Sequence, residues 1–309
     1  MIIVESLNAA VFENPYKDEI CPFICGLIND STSIVCNVKT QISRGRSSDA
    51  QFMYNTGLLP LKDESLVINY SLADYPSLAK ALDYYSIEII GEWKGIWKHE
   101  ETSFSYGFDE LYSNQGVSGI NKDFYIFENS IKLIEKVKNP LYIEITTLTM
   151  HSPYESSMVS DDLHLPTLSN HFSKEGLNYL QAFHCFDKGL EMFISNLKRI
   201  DKYDDSIIVI VGDHTVKVGN DSDCLNNDLT TLIILNSGKE KIMKTVNQID
   251  VFPTILDLMD IQTYKAPGIN ANYRGVGKSI FDPTEYTSTT NPYDISELLI
   301  KSHFFNFEK

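Results

Sequence analysis

Short apolar, β-branched runs punctuate the chain: "MIIV" (1–4), "SIVCNV" (33–38), "SIEIIG" (86–91), "LYIEITTLT" (141–149), "SIIVIVG" (206–212) and "TTLIIL" (230–235). Most are continuously apolar rather than alternating, which is the pattern of strands covered on both faces. Between them lie stretches with helical spacing: "YPSLAKALDYY" (75–85), "DFYIFENSIKLIEKVK" (123–138), "SKEGLNYLQAFHCFDKGLEMFISNLKRI" (173–200) and "QIDVFPTILDLMD" (248–260). This alternation predicts an α/β protein with a mostly parallel central sheet flanked by helices. Past Asp260 the pattern changes to the turn-rich "TYKAPGINANYRGVGKSIFDPTEYTSTTNPYD". The expectation is a main domain over 1–262 and a small C-terminal subdomain, or appendage of the same domain, over 263–309. Residues 152–172, rich in Ser, Pro, Asp and His, are expected to form a long loop near the site.

Composition narrows the class. The 309 residues are 43% hydrophobic and 11% aromatic, which suits a folded globule with a substantial core. A formal net charge of −16 argues against a nucleic acid partner. An anionic small substrate would need a local cation. Five cysteines (Cys21, Cys25, Cys36, Cys185 and Cys224) include no CxxC pair and read as free thiols. No apolar run of the sequence approaches the ~20 residues of a membrane helix, and its opening "MIIVESL" reads as a buried strand rather than as a signal peptide. "GVGKS" (275–279) is not a phosphate-binding loop, because Asn272 stands where the first glycine is required and no strand precedes it.

In open parallel sheets, ligands bind beyond the carboxyl ends of the strands. Glu5 follows "MIIV", and Glu92 follows "SIEIIG", with Trp97 and His99 soon after. His151 follows "LYIEITTLTM", and Asp213 and His214 follow "SIIVIVG". One such residue is an ordinary turn residue; four coincident cases on one rim point to a site. Glu5, Asp213 and His214 suit one divalent cation, Mn²⁺, Mg²⁺ or Zn²⁺ by ligand type. A serine or threonine hydroxyl would complete the set, and coordination would lower its pKa. "GRSSDAQF" (45–52) supplies such a hydroxyl, since Ser47 or Ser48 can stand near the N-cap of a helix whose free N–H groups favour an anion.

These residues and their order resemble the extracytoplasmic catalytic domain of lipoteichoic acid synthase-like phosphoglycerol transferases, within the sulfatase and alkaline phosphatase superfamily. The resemblance rests on "VESL" (4–7), "GRSSDAQF", "LLPL" (58–61), "YPSLAKALDYY", "YGFDELY" (106–112), "TTLTMHSPY" (146–154), "IIVIVGDH" (207–214) and "QIDVFPTILDLM" (248–259). It implies Glu5, Asp213, His214 and Ser47 as ligands of one divalent metal, most readily Mn²⁺. It also implies Ser47 as the nucleophile, where better-known members have threonine. It places His151 near the substrate phosphate and Trp97 in the pocket, with Arg46 beside the nucleophile. Where that family has an "FWNR" arginine and an upstream histidine and aspartate, this chain reads "IIGEWKGIWKHE". Here His99 stands at the arginine, Glu92 near the aspartate and Ile90 at the histidine, and Lys98 is a substitute cation.

The implied reaction is transfer of a phosphoglycerol group from a phospholipid to a polyol or glycan acceptor through a phosphoryl-serine intermediate. Family members carry upstream membrane helices. This implies a catalytic domain anchored at the extracytoplasmic face of the membrane. Hydrolysis of a phosphodiester or phosphomonoester would use the same residues, with water as acceptor. A sulfatase needs an arginine four positions after its modified Cys or Ser, and Ser47 is followed by Ser48, Asp49, Ala50 and Gln51. A fold-retaining anion- or glycan-binding protein without catalysis is the reading from another class.

Overall fold

The computed structural model describes residues 1–113, 122–138, 140–154, 164–216, 218, 221, 225, 227–284 and 291–306. Eight strands form one sheet: β1 (Ile2–Val4), β2 (Ile34–Lys39), β3 (Tyr85–Ile90), β4 (Glu110–Ser113), β5 (Leu141–Thr146), β6 (Ile208–Gly212), β7 (Leu229–Leu235) and β8 (Met243–Asn247). Their order is β4-β3-β5-β1-β6-β7-β2-β8. β7 runs antiparallel to both of its neighbours, and every other pairing is parallel. The carboxyl ends of β1, β2, β3, β5 and β6 therefore open on one rim.

The apolar runs of the sequence became the interior strands. β1 and β6 are buried throughout, because helices cover the sheet on both faces. The edge strands β4 and β8 did not stand out as apolar runs. "MKTVN" has only Val246 buried, and "ELYS" has no fully buried residue. An edge strand facing water on one side does not need a continuous apolar sequence.

One face holds the long helix Lys174–Arg199 and the helix Lys122–Lys136 with the apolar sides of β1, β3, β5 and β6. The other face holds the helices Ser47–Thr56 and Val251–Leu258. Tyr264, Ala266, Tyr273, Ile280, Ile300 and Phe305, all beyond residue 262, pack into that same second cluster. The predicted helix over 75–85 is confined to Leu78–Leu82, because Ser77 caps it and β3 begins at Tyr85. Cys21, Cys25 and Cys36 are buried free thiols, Cys185 is buried as well, and Cys224 lies outside the described residues. No helix of the described residues is long and apolar enough to cross a membrane.

The helix Ser47–Thr56 is buried from Ser48 to Thr56 although its sequence is largely polar. Three of its polar side chains are bonded to the sheet beneath it. Tyr54 Oη donates to Gly212 O at 2.6 Å, and Asn55 Nδ2 donates to Glu144 Oε1 at 2.9 Å. Gln51 Nε2 donates to Thr146 Oγ1 at 3.2 Å. The helix ends at Gly57, whose φ is +69° and whose N–H donates to Met53 O. A Cβ at Gly57 would lie 2.7 Å from the Phe252 ring and 2.8 Å from Gly275 Cα. Val276 N also donates to Gly57 O at 2.8 Å, so "GVGKS" serves to anchor the C-terminal segment to the end of this helix. Gly57→Ala combines a left-handed backbone with overpacking and should cost about 1–3 kcal/mol, read from the midpoint of chemical denaturation. An unchanged midpoint would show that this junction is looser than its distances imply.

Candidate active site and metal centre

β1 and β6 are parallel neighbours with Val4 opposite Gly212, so the next residues, Glu5 and Asp213, emerge side by side. Both are buried, at 5% and 1% exposure. Single atoms of Glu5, Asp213 and His214 lie within 4.8 Å of one another. Among the described residues this is the one cluster of three or more such side chains that could hold a metal ion. Ser47 Oγ completes it, 3.3 Å from Glu5 Oε2 and 3.2 Å from His214 Nε2.

Each donor is oriented from behind. Ser6 Oγ donates to Glu5 Oε1 at 2.6 Å, and Ser6 N donates to Asp213 Oδ1 at 2.8 Å. His214 Nδ1 lies 3.0 Å from Thr215 O, a group that only accepts, so Nδ1 carries the proton and Nε2 presents a lone pair to the cluster. Gln248 Nε2 donates to Asp213 O at 2.6 Å and to Tyr54 Oη at 3.0 Å.

The donor set fits a divalent cation. Asp213 Oδ2 is buried with no hydrogen-bond partner, which is costly unless a cation covers it. Burial first, and the neighbouring Glu5 second, push Asp213 up to about 7. A cation held between the two carboxylates would reverse that penalty. Two carboxylates, an imidazole and a hydroxyl accord with Mn²⁺, Mg²⁺ or Zn²⁺.

Ser47 is the first helical residue, not the cap. Arg46 occupies the cap position at φ 47°, ψ −115°, without a side-chain cap bond. Ser48 Oγ turns back to Gly45 O at 2.7 Å. The preceding loop wraps around the Asp49 carboxylate, whose Oδ2 accepts from Ser43 N at 2.7 Å and Gly45 N at 2.9 Å. A Cβ at Gly45 would lie 2.2 Å from Asp49 Oδ1, so the wrap requires glycine there. Ser6, Arg46 and Trp97, which line the cavity beside the cluster, all have positive φ.

Beside Ser47 opens a cavity of ≈ 280 Å³ lined by Glu5, Arg46, Ser47, Glu92, Trp97, His151 and His214 among others. A larger cavity of ≈ 460 Å³ lies beneath Met1, Pro140 and Ile208, at the opposite ends of the strands, and none of the expected site residues lines it. His151 is exposed, and its Nδ1 lies 2.6 Å from Ser152 O, which leaves Nε2 as the free nitrogen. Lys98 and His99 do not line the cavity with the other expected contacts. Lys98 Nζ donates to Ile68 O at 3.0 Å and pairs with Glu101 at 3.3 Å. The left-handed backbone at Trp97 and Lys98 separates these adjacent side chains. His99 is 1% exposed, with Nε2 3.0 Å from Glu92 Oε1. Ile90 is wholly buried at the end of β3.

Ser6, Gln51, Thr147, Tyr154 and Gln248 were missed as site residues. Ser6 and Tyr154 stood in "VESL" and "MHSPY" and carried that much signal. Gln248 lies 35 residues from Asp213, and only the fold connects them. His171, in the segment 152–172 expected to form a loop near the site, is exposed with Nδ1 3.0 Å from Tyr16 Oη, and residues 155–163 of that segment lie outside the described residues.

The family model described as "Sulfatase" matches residues 1–261. Lipoteichoic acid synthase 2 of Bacillus subtilis (strain 168) is 30% identical over 299 residues, covering 85% of this chain. The chain spans 44% of that relative's length, so it matches less than half of it. Among solved structures, the lipoteichoic acid synthase LtaP from Listeria monocytogenes superposes with a TM-score of 0.76 at 21% identity, covering 89% of this chain and 73% of that one. The Streptococcus pyogenes phosphoglycerol transferase GacH in complex with sn-glycerol-1-phosphate gives 0.63 at 15% identity, covering 100% and 89%. At these identities the two structures establish the fold: a mostly parallel sheet flanked by helices.

Mn²⁺ binding tests the cluster directly. Asp213→Asn should abolish high-affinity binding. Ser6→Ala, which frees Glu5 Oε1, should weaken it on the order of tenfold. Both are read by electron paramagnetic resonance of free Mn²⁺, with circular dichroism confirming the fold. Undiminished binding in Asp213→Asn would remove the cluster as the metal centre.

Proposed function

This chain belongs to the sulfatase family, and we propose that it is a metal-dependent phosphoglycerol transferase acting on a phospholipid head group through a phosphoryl-serine intermediate. The carrying observation is Ser47 Oγ at a helix start, within 3.3 Å of Glu5 and 3.2 Å of His214, beside an open cavity. The names of the relatives support the substrate class: lipoteichoic acid synthases and a phosphoglycerol transferase.

Glu5, Asp213, His214 and Ser47 are the residues that would hold the cation, with Mn²⁺ favoured over Mg²⁺ or Zn²⁺. When bound, the cation lowers the pKa of the hydroxyl and neutralises phosphoryl charge. Ser47 Oγ already donates to Glu5 Oε2, which gives its proton an acceptor. Ser47 Oγ then forms the new bond to phosphorus, and the bond from phosphorus to the lipid alcohol breaks. With Nδ1–H held on Ser152 O, the doubly protonated His151 ring gives its Nε2 proton to the leaving oxygen and takes one back from the hydroxyl that resolves the intermediate. Arg46, beside Ser47 on the cavity wall, offers charge to the phosphoryl oxygens.

A polyol or glycan hydroxyl resolves the intermediate. If water does so, the enzyme is a phosphodiesterase with the same residues. Sulfate ester hydrolysis is disfavoured by Gln51 at the position four beyond Ser47. In the full protein this domain would stand at the extracytoplasmic face of the membrane, anchored by helices outside this chain.

Intact and peptide mass spectrometry after incubation with Mn²⁺ and phosphatidylglycerol tests the reading. The expected result is a glycerophosphate-sized adduct on the Ser47 peptide, absent from Ser47→Ala. Steady release of glycerophosphate without an adduct would favour the hydrolase. Neither adduct nor release would sink the proposal for this donor.

A further inference from the structure

His99 begins the helix His99–Tyr106, and its imidazole is held between two carboxylates. Nε2 lies 3.0 Å from Glu92 Oε1, and Nδ1 lies 3.4 Å from Glu88 Oε1. His99 and Glu88 are 1% and 2% exposed, whereas the Glu92 side chain is 20% exposed and lines the cavity beside Gly91 and Trp97. Burial works against a charged imidazole, but the bonds and charges of Glu88 and Glu92 outweigh it and hold His99 up at about 9. The countercharge of Glu92 therefore stands behind it, outside the cavity. Lys98, the other nearby cation, is engaged with Glu101 and Ile68 O. The cavity end at Glu92 presents an acceptor without a cation of its own.

We propose that His99 is a positioning residue that fixes Glu92 on the cavity wall, where the Glu92 carboxylate accepts hydrogen bonds from the hydroxyls of a polyol head group. The inference rests on the reading of Ser47 as the group that meets the phosphate. The phosphate lies at Ser47 and Arg46, and the hydroxyl-bearing remainder lies toward Glu92 and Trp97. A second anionic group at that end would be repelled. Nε2 is taken by Glu92, Nδ1 faces the buried Glu88, and the ring does not line the cavity, so His99 acts through Glu92.

Several charged groups surround the imidazole. Glu88 and Glu92 touch it, and Glu144 is the register partner of Glu88 across the β3–β5 pair. Glu144 is bonded by Asn55 and Tyr142. Lys98, Glu100 and Glu101 stand on its own segment, with Lys98 paired to Glu101 and Glu100 to Lys94.

The test compares calorimetric binding of sn-glycerol-1-phosphate and inorganic phosphate to the Mn²⁺-loaded protein. Wild type should prefer glycerol phosphate. His99→Gln should lose about tenfold for glycerol phosphate, the scale of one hydrogen bond to a charged group, and stay within about twofold for inorganic phosphate. The double variant with Glu92→Gln should be no weaker than Glu92→Gln alone. Equal losses for both ligands, additive losses, or no wild-type preference would each overturn the proposal. Should His99→Gln fail to fold, imidazole titration by NMR remains. His99 should titrate well above the ordinary ~6.5 and fall in Glu92→Gln; titration near the ordinary value in wild type overturns the pairing. Intact ligand preference without a Ser47 adduct would sink the transfer reading and leave this one standing.

Discussion

The parallel pairing of β1 with β6 sets two acidic side chains against each other at the bottom of a cleft. Val4 lies opposite Gly212, so Glu5 and Asp213 leave the sheet together with little water between them. Asp213 keeps an oxygen with no hydrogen-bond donor, and its proton affinity rises accordingly. A fold that tolerates this arrangement has reserved the space for positive charge. The rest of the site follows from that constraint: His214 turns Nε2 inward, Ser6 bonds both acids, and Ser47 is brought within reach of two of the three.

A second network holds the geometry from below. Tyr54, inside the helix that begins at Ser47, donates to Gly212 O, one residue before Asp213. Gln248 bonds both Tyr54 and the Asp213 carbonyl. The helix that begins at Ser47 and the segment that carries Asp213 are thus fixed to one another as well as to the sheet. The C-terminal segment adds to this frame, because Tyr273 Oη and Val276 N bond the carbonyls of Thr56 and Gly57 at the far end of the same helix.

The Ser47 end and the Glu92 end of the cavity differ in how they handle charge. At Ser47 the carboxylates await a cation. At Glu92 the carboxylate already has one, His99, placed in the core rather than in the cavity. The departure at 90–99 from the family resemblance is therefore not a simple loss of a contact. The basic side chain of His99 faces Glu88 and Glu92 in the core, and the cavity wall in front of it presents the Glu92 carboxylate.

Much of this was legible in the sequence for a simple reason. Strands buried on both faces must be continuously apolar, and a polar residue at their carboxyl end has one rim to occupy. That reasoning determined the α/β class, the interior strands, and Glu5, His151, Asp213 and His214 as a candidate set, whereas Ser47 was distinguished from Ser48 only by the family resemblance. It did not reach β4 and β8, whose exposed faces remove the apolar signal, nor the reversed direction of β7, which periodicity does not encode. Gln248 and Tyr54 were invisible as site residues because their partners lie far along the chain. Lys98 and His99 show the limit most sharply. Adjacent in sequence and both basic, they were expected to contact one substrate, with Lys98 as its cation. The left-handed turn at Trp97 and Lys98 sends one outward to Glu101 and the other inward between Glu88 and Glu92. Residue type set their charge, but backbone direction and burial, which only the tertiary structure decides, set what that charge acts on.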